Sequence, residues 1–167
     1  MIYENRLPTT VVEAVRRQDA GSILVRRWGA CWIDMVLLGI FLVVPVLVLD
    51  RFHLSTAGGV ISLILIVGYF PLTEGLWGRS LGKLALGLVV VNAKAGKPGL
   101  LRASGRTLTR VIEVNPMLLG GIPAGIIVAI SKKRQRLGDM LAGTYVITKD
   151  DWERVKRSAA PDTSVFD

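Results

Sequence analysis

The chain has 167 residues, 51% hydrophobic and 20% charged, with 21 Lys and Arg against 13 Asp and Glu, a formal net charge of +8. One Cys excludes an intrachain disulfide and any multi-cysteine metal site, and one His excludes a centre of several histidines. Mean hydropathy is +0.48, with cations and apolar residues segregated along the chain, which indicates a membrane protein and not a basic nucleic-acid binder.

Met1 to Arg27 is polar, with five Arg and three acids and no long apolar run. Trp28 to Leu49 follows, 22 residues whose only charge is Asp34. At about 1.5 Å rise per residue this stretch reaches about 33 Å, enough to cross a hydrocarbon core of about 30 Å. It is too long for a signal-peptide core and no A-x-A site follows it, so it is expected to be the first membrane helix. Pro45 is expected to kink or loosen it, which membranes tolerate. After a short connection holding Asp50, Arg51 and His53, Ala57 to Trp77 gives a second span, uncharged until Glu74. The short connection makes the two spans an antiparallel hairpin.

Gly78 to Arg110 carries seven cations (79, 83, 94, 97, 102, 106 and 110) and no acid. Leu81 to Leu88 reads as a short interfacial segment, Leu88 to Asn92 as a strand, Ala95 to Gly99 as a turn, and Leu100 to Arg110 as a basic helix. Val111 to Ile130 is a third apolar stretch, with Glu113 and Asn115 near its start and Gly120, Gly121 and Pro123 in its middle. Lys132, Lys133, Arg134 and Arg136 follow at once, then a strand over Gly143 to Lys149 and a mixed-charge tail expected to fray.

Cations cluster before span one and after span two, so the positive-inside rule places the N-terminus and the 78–110 region in the cytoplasm. One crossing by the third stretch would strand the 132–136 cations outside. A break near Gly120 to Pro123, returning residues 100–131 to the cytoplasm as a helical hairpin, is the expected arrangement. A single span with the C-terminus outside is the alternative. With a cytoplasmic C-terminus the 88–92 and 144–148 strands would pair beside the membrane. The expected fold class is an all-α integral membrane protein, a small polytopic bundle of 3–4 membrane helices with a small cytoplasmic β element.

Three blocks carry a family likeness. Arg27-Trp-Gly-Ala30-Cys-Trp-Ile33-Asp34 resembles the opening R-x-x-A-x-x-[IF]-D motif of the RDD family. Gly78-Arg-Ser-Leu-Gly82-Lys83-Leu-Ala-Leu-Gly87-Leu-Val-Val-Val resembles its G-x-S-x-G-K-x-x-x-G-L-x-V-V segment. Arg134-Gln-Arg136-Leu-Gly-Asp139-Met-Leu-Ala142-Gly143-Thr144-Tyr-Val146 resembles its R-Q-R-L-H-D-x-x-A-G-T-x-V block, with Gly138 where a His is common. The likeness matches the family's Arg to Arg27 and its two Asp to Asp34 and Asp139. It implies a bacterial inner-membrane protein, with cation/proton exchange linked to some members. The implied organisation is a cytoplasmic arm over 1–27, an RDD membrane domain over 28–148 and a polar tail over 149–167.

Arg27 and Asp34 are seven residues apart, so they share a helix face about 10 Å apart along the axis. An ionisable residue inside a membrane costs about 2.5–3.5 kcal/mol unless it is paired, wet or protonated. Asp34 is therefore either a proton- or cation-handling carboxylate or half of an ion pair with Arg27, Arg106 or Arg110. Glu74 lies near the same depth and is expected either to share a pocket with Asp34 or to pair with Arg79 or Lys83. Asp139 is expected to cap a turn or pair with the 132–136 cations, locking the last strand onto the helices. Arg79 and Lys83 are expected at anionic lipid headgroups. The Gly78-x-x-x-Gly82-Lys83 spacing is one residue short of a phosphate loop and Leu84 replaces its Ser or Thr, so no nucleotide site is read here.

No hydrolase, kinase or metal motif is present, and no enzyme activity, cofactor or nucleic-acid partner is expected. The expected partners are a bilayer with anionic headgroups and either further copies of the chain or another membrane protein. Two functions fit: a small cation/proton exchanger built on Arg27, Asp34, Glu74 and Asp139, or a scaffold docking partners on a basic cytoplasmic face.

Overall fold

The computed structural model describes residues 10–113, 122–131 and 133–159. The elements in chain order are α1 (Val11–Arg17), α2 (Ala20–Asp50), α3 (Ser55–Trp77), α4 (Leu81–Ala85), β1 (Leu88–Asn92), α5 (Leu100–Glu113), α6 (Ile122–Ile130), α7 (Leu137–Leu141), β2 (Thr144–Thr148) and α8 (Lys149–Ala159).

α2 starts where Asp19 accepts a hydrogen bond from the Ser22 backbone N–H at 2.7 Å, the usual device for satisfying a free helix-end donor. Its 31 residues give a rod of about 46 Å, longer than a hydrocarbon core, so its first turns stand outside the apolar stretch. Pro45 and Pro71 both lie inside helices. α2 and α3 are long and apolar enough to cross a membrane. They form a hairpin, and their close approach depends on Gly58, whose added Cβ would sit 2.7 Å from the Pro45 carbonyl oxygen. Beside it Ser62 Oγ donates to the Leu42 carbonyl at 3.0 Å. Val36, Ile40, Val43, Leu47, Leu63, Ile64 and Val67 are exposed around the pair. In water this belt would be unstable, while against lipid it is the solvated surface.

β1 and β2 pair as expected, in antiparallel orientation, with Val90 opposite Val146 at the centre. One sheet face (Val89, Val91, Tyr145 and Ile147) packs on Val11, Ala14 and Val15 of α1 and on Val155 of α8. The other face (Leu88, Val90 and Val146) packs on Ile23 and Ala30 of α2. Trp152 Nε1 donates to the Ala95 carbonyl at 2.8 Å, which ties α8 to the turn after β1. The small sheet is therefore buried on both sides, and α2 enters its core directly. Two expectations change here. The first residues are more than a polar arm, because Val11, Ala14 and Val15 recur on one face of α1. The tail through Ala159 is a helix, started by Asp150 and Asp151 and ended by Lys156 and Arg157, which suit the helix dipole.

The units around the two strands repeat. Ser80-Leu-Gly-Lys-Leu-Ala-Leu-Gly-Leu-Val-Val and Arg136-Leu-Gly-Asp-Met-Leu-Ala-Gly-Thr-Tyr-Val align 56 positions apart, with Leu81/Leu137, Gly82/Gly138, Gly87/Gly143 and Val90/Val146 identical. Each unit is a short helix, a left-handed Gly (φ 66° at Gly87, 59° at Gly143) and a strand. Val90 pairs with its own counterpart Val146, so a local two-fold relates the units. Gly82 packs under Ala30 of α2, and Gly138 packs under Arg106 and Thr109 of α5.

α6 has nine residues, about 14 Å, too short to cross alone. The expected break at Gly120 and Gly121 lies outside the described residues.

Candidate functional site

The buried charges gather at one end of the α2–α3 hairpin, where it meets α4, α5 and α7. Trp28, Trp32 and Trp77 ring this level with half or more of their surface exposed, the usual position of interface tryptophans.

Asp34 is buried, and the donors on it are uncharged. Ser80 Oγ donates to Oδ2 at 2.6 Å, while Tyr69 Oη and the Gly82 N–H each donate to Oδ1 at 2.8 Å. Tyr69 Oη in turn accepts from the Leu81 N–H at 2.9 Å. Asp34 thus receives the first turn of α4. The fit requires Gly82, since a Cβ there would lie 2.1 Å from the Ala30 carbonyl oxygen.

Glu74 has no exposed surface and faces three cations. Lys83 Nζ and Arg110 Nη2 both donate to Oε1, Arg110 at 2.7 Å, and Arg106 Nε lies 3.5 Å from Oε2. The Arg110 guanidinium also sits 3.6 Å above the Phe70 ring. Asp139 is equally buried. Its Oδ2 accepts from Arg27 Nη2 at 2.6 Å and from the Arg136 N–H at 3.2 Å. Its Oδ1 lies 2.9 Å from Arg106 Nη2 and 3.8 Å from Arg136 Nη2. Arg106 bridges the two carboxylates and also donates through Nη1 to Thr144 Oγ1 at 2.9 Å. One connected network therefore fastens α2, α3, α4, α5 and α7 to β2.

Arg27, Glu74 and Asp139 belong to that network, and Asp34 does not share its carboxylate pocket. Arg27 and Asp34 occupy one helix face and diverge, one to α7 and the other to α4. Arg106 and Arg110, candidate partners of Asp34, pair instead with Glu74 and Asp139. The expected headgroup contact of Lys83 is corrected: its ammonium is buried on Glu74, because α4 turns inward at Gly82. Arg79 keeps part of its surface exposed. The side chain of Glu113 lies outside the described residues. Three residues of the site had no reading in the sequence: Tyr69, Ser80 and Thr144. The available signal was the L-G-x-[LM]-x-x-G repeat, which puts Lys83 and Asp139 at equivalent inward positions with opposite charge.

The network holds more cations than anions, and this displaces titrations. Burial lowers the Lys83 pKa to about 7; Glu74 pulls it up, while Arg106, Arg110 and Arg136 push it down. Burial alone would raise the Asp139 pKa, but Arg106, Arg27 and Arg136 hold it well below the carboxylate range. Below about pH 7 the Lys83 proton is bound in both the folded and the unfolded chain. Between about 7 and the ordinary lysine value of about 10.4 the unfolded chain binds it and the folded chain does not, so stability rises with pH across that window. Thermal unfolding of the purified protein is expected to show this rise between pH 7 and 10, and Lys83→Met should flatten it. Asp139 acts in the same sense at acid pH, with stability lost as pH falls below the ordinary carboxylate value.

Among the described residues, no group of three or more His, Cys, Asp or Glu is placed to hold a metal ion. A search of curated proteins returned no match, and neither did a search of solved structures. The family model described as "RDD family" matches residues 22–143, which takes in Arg27, Asp34, Glu74 and Asp139. The chain belongs to the RDD family, a family of membrane-associated proteins.

Proposed function

We propose that this protein is a non-catalytic scaffold of the bacterial inner membrane, with its N-terminus and sheet in the cytoplasm and 3–4 membrane helices. The observation that carries this reading is the site itself. Glu74 and Asp139 are each held by cations of the chain, and Asp34 by the first turn of α4. Such carboxylates brace helices. They offer a passing cation no vacant ligand and a local field of its own sign.

The docking face is the outside of the sheet layer. Arg16, Arg17, Arg154, Lys156 and Arg157 are exposed on α1 and α8, and Lys94 and Lys97 on the turn after β1. Its partner is an acidic surface of another membrane protein or of a further copy. Photo-crosslinkers placed at Lys94 and Arg154 in native membranes test this. A discrete adduct is expected, lost when Arg154, Lys156 and Arg157 are changed to Glu at equal protein abundance. No adduct from either site counts against the reading.

Asp34→Asn is expected to act on folding. It replaces bonds to a charged acceptor, worth about 1.5–3 kcal/mol each, by weaker ones. Lower abundance in the membrane fraction and a lower unfolding temperature should follow.

One observation favours cation/proton exchange as the second reading. Asp34 has no cationic partner among the described residues, so of the three carboxylates it is the one without a fixed counter-charge.

A further inference from the structure

Five cations (Arg27, Lys83, Arg106, Arg110 and Arg136) face the two carboxylates of the network, Glu74 and Asp139. A buried surplus of one sign is costly unless a counter-charge completes it. Two guanidinium nitrogens, Arg110 Nη1 and Arg136 Nε, are buried and donate to no acceptor among the described residues. They differ from Arg106 Nε and Nη2, which lack aligned hydrogen bonds but lie 3.5 and 2.9 Å from carboxylate oxygens. The two half-free groups flank one bridge: Arg110 holds Glu74 at 2.7 Å, Arg136 lies 3.8 Å from Asp139, and Arg106 joins these two carboxylates. Both also act electrostatically on Cys31 of α2. Cys31 is partly buried one turn from the exposed Trp28, which makes it the reporter beside the cluster. Burial lowers the Arg136 pKa to about 10; Asp139 pulls it up, and Arg27, Arg110 and Arg106 push it down, so the cations feel one another.

We propose that this cluster binds a phosphate group, held by the free edges of Arg110 and Arg136 and balanced against the surplus of buried cations. Guanidinium suits this ligand, because its planar N–H edge pairs with phosphate oxygens. The group has two sources at this depth, the phosphodiester of an anionic phospholipid or free phosphate from the cytoplasm. The inference goes beyond the scaffold reading and stands or falls separately from it.

The test uses the full chain, with maleimide alkylation of its single cysteine, Cys31, as the readout. In one arm the protein in neutral detergent is titrated with inorganic phosphate, with chloride at equal ionic strength as the control. In the other it sits in nanodiscs of phosphatidylcholine with or without phosphatidylglycerol, and native mass spectrometry counts the lipids retained. Binding should slow alkylation about fivefold or more at saturation. Protection by phosphate in detergent identifies free phosphate. Protection by phosphatidylglycerol alone, with retained lipid, identifies a headgroup. Arg136→Lys keeps the charge and loses the Nε edge, and should weaken the protection about tenfold. Arg110→Lys gives the same test if that variant does not fold. Equal alkylation under all conditions, or unchanged protection in both variants, overturns the proposal.

Discussion

Glu74→Gln is expected to destabilise the protein by about 3–5 kcal/mol, the cost of removing one partner from a buried ion pair. The carboxylate stands between Lys83, Arg106 and Arg110, whose side chains are each at least nine-tenths buried. Neutralising it leaves three largely buried like charges with no common counter-ion. The loss should be partly reversible from the other side. Adding Lys83→Met removes one surplus cation and keeps an apolar side chain of similar length under α4. The double variant should therefore be more stable than Glu74→Gln alone. Denaturant titration in micelles measures both. A single-variant loss under about 1 kcal/mol, or a double variant no better than the single, would show that Glu74 is not the counter-charge of this cluster.

Gly82→Ala should be nearly as damaging, and worse than the same change at its structural counterpart Gly138. A Cβ at 82 would lie 2.1 Å from the Ala30 carbonyl oxygen and 2.9 Å from Asp34 Oδ1. The first is helix backbone and cannot move aside, so α4 must lift. Lifting breaks the bonds from Gly82 and Ser80 to Asp34, and overpacking and lost hydrogen bonds add to about 3 kcal/mol or more. At Gly138 the nearest atom is also at 2.1 Å, but it is Thr109 Oγ1, a rotatable hydroxyl, with Thr109 Cβ next at 3.3 Å. Gly138→Ala should cost about 1–2 kcal/mol. Unfolding temperatures of the two variants give the ranking directly, and equal losses would contradict the backbone argument.

The two long helices, both strands and the basic helix after the turn were legible because their signals are local. An apolar run of 22 residues and the Val-Val-Val and Tyr-Val-Ile stretches declare their periods without help from distant parts. α1 and α8 were not legible as parts of the fold. Each is short and mostly polar, and becomes a layer only because Val11, Ala14, Val15 and Val155 meet one face of the sheet. The site divides the same way. Arg27, Asp34, Glu74 and Asp139 stood out because charge within or beside apolar sequence is rare. Lys83 for Glu74 and Arg136 for Asp139 were among the pairings the sequence offered. The pairing of Arg106 and Arg110 with these carboxylates and the Arg27–Asp139 pair were not, because those depend on where α5 and α7 cross the hairpin. Helix periodicity put Arg27 and Asp34 on one face, and tertiary contacts then sent them to different helices. Lys83 was misplaced for a related reason: a cation beside a span looks interfacial until Gly82 brings α4 against Ala30.

The central claim is that these carboxylates brace a membrane scaffold and carry no ion flux. Purified protein in liposomes with a trapped pH dye, challenged with external Na⁺, K⁺ or Li⁺, tests it most directly. The scaffold account predicts a flat trace for folded wild-type protein with each cation. A cation-triggered pH change that disappears in Asp34→Asn at equal incorporation would contradict it and make exchange at Asp34 the function.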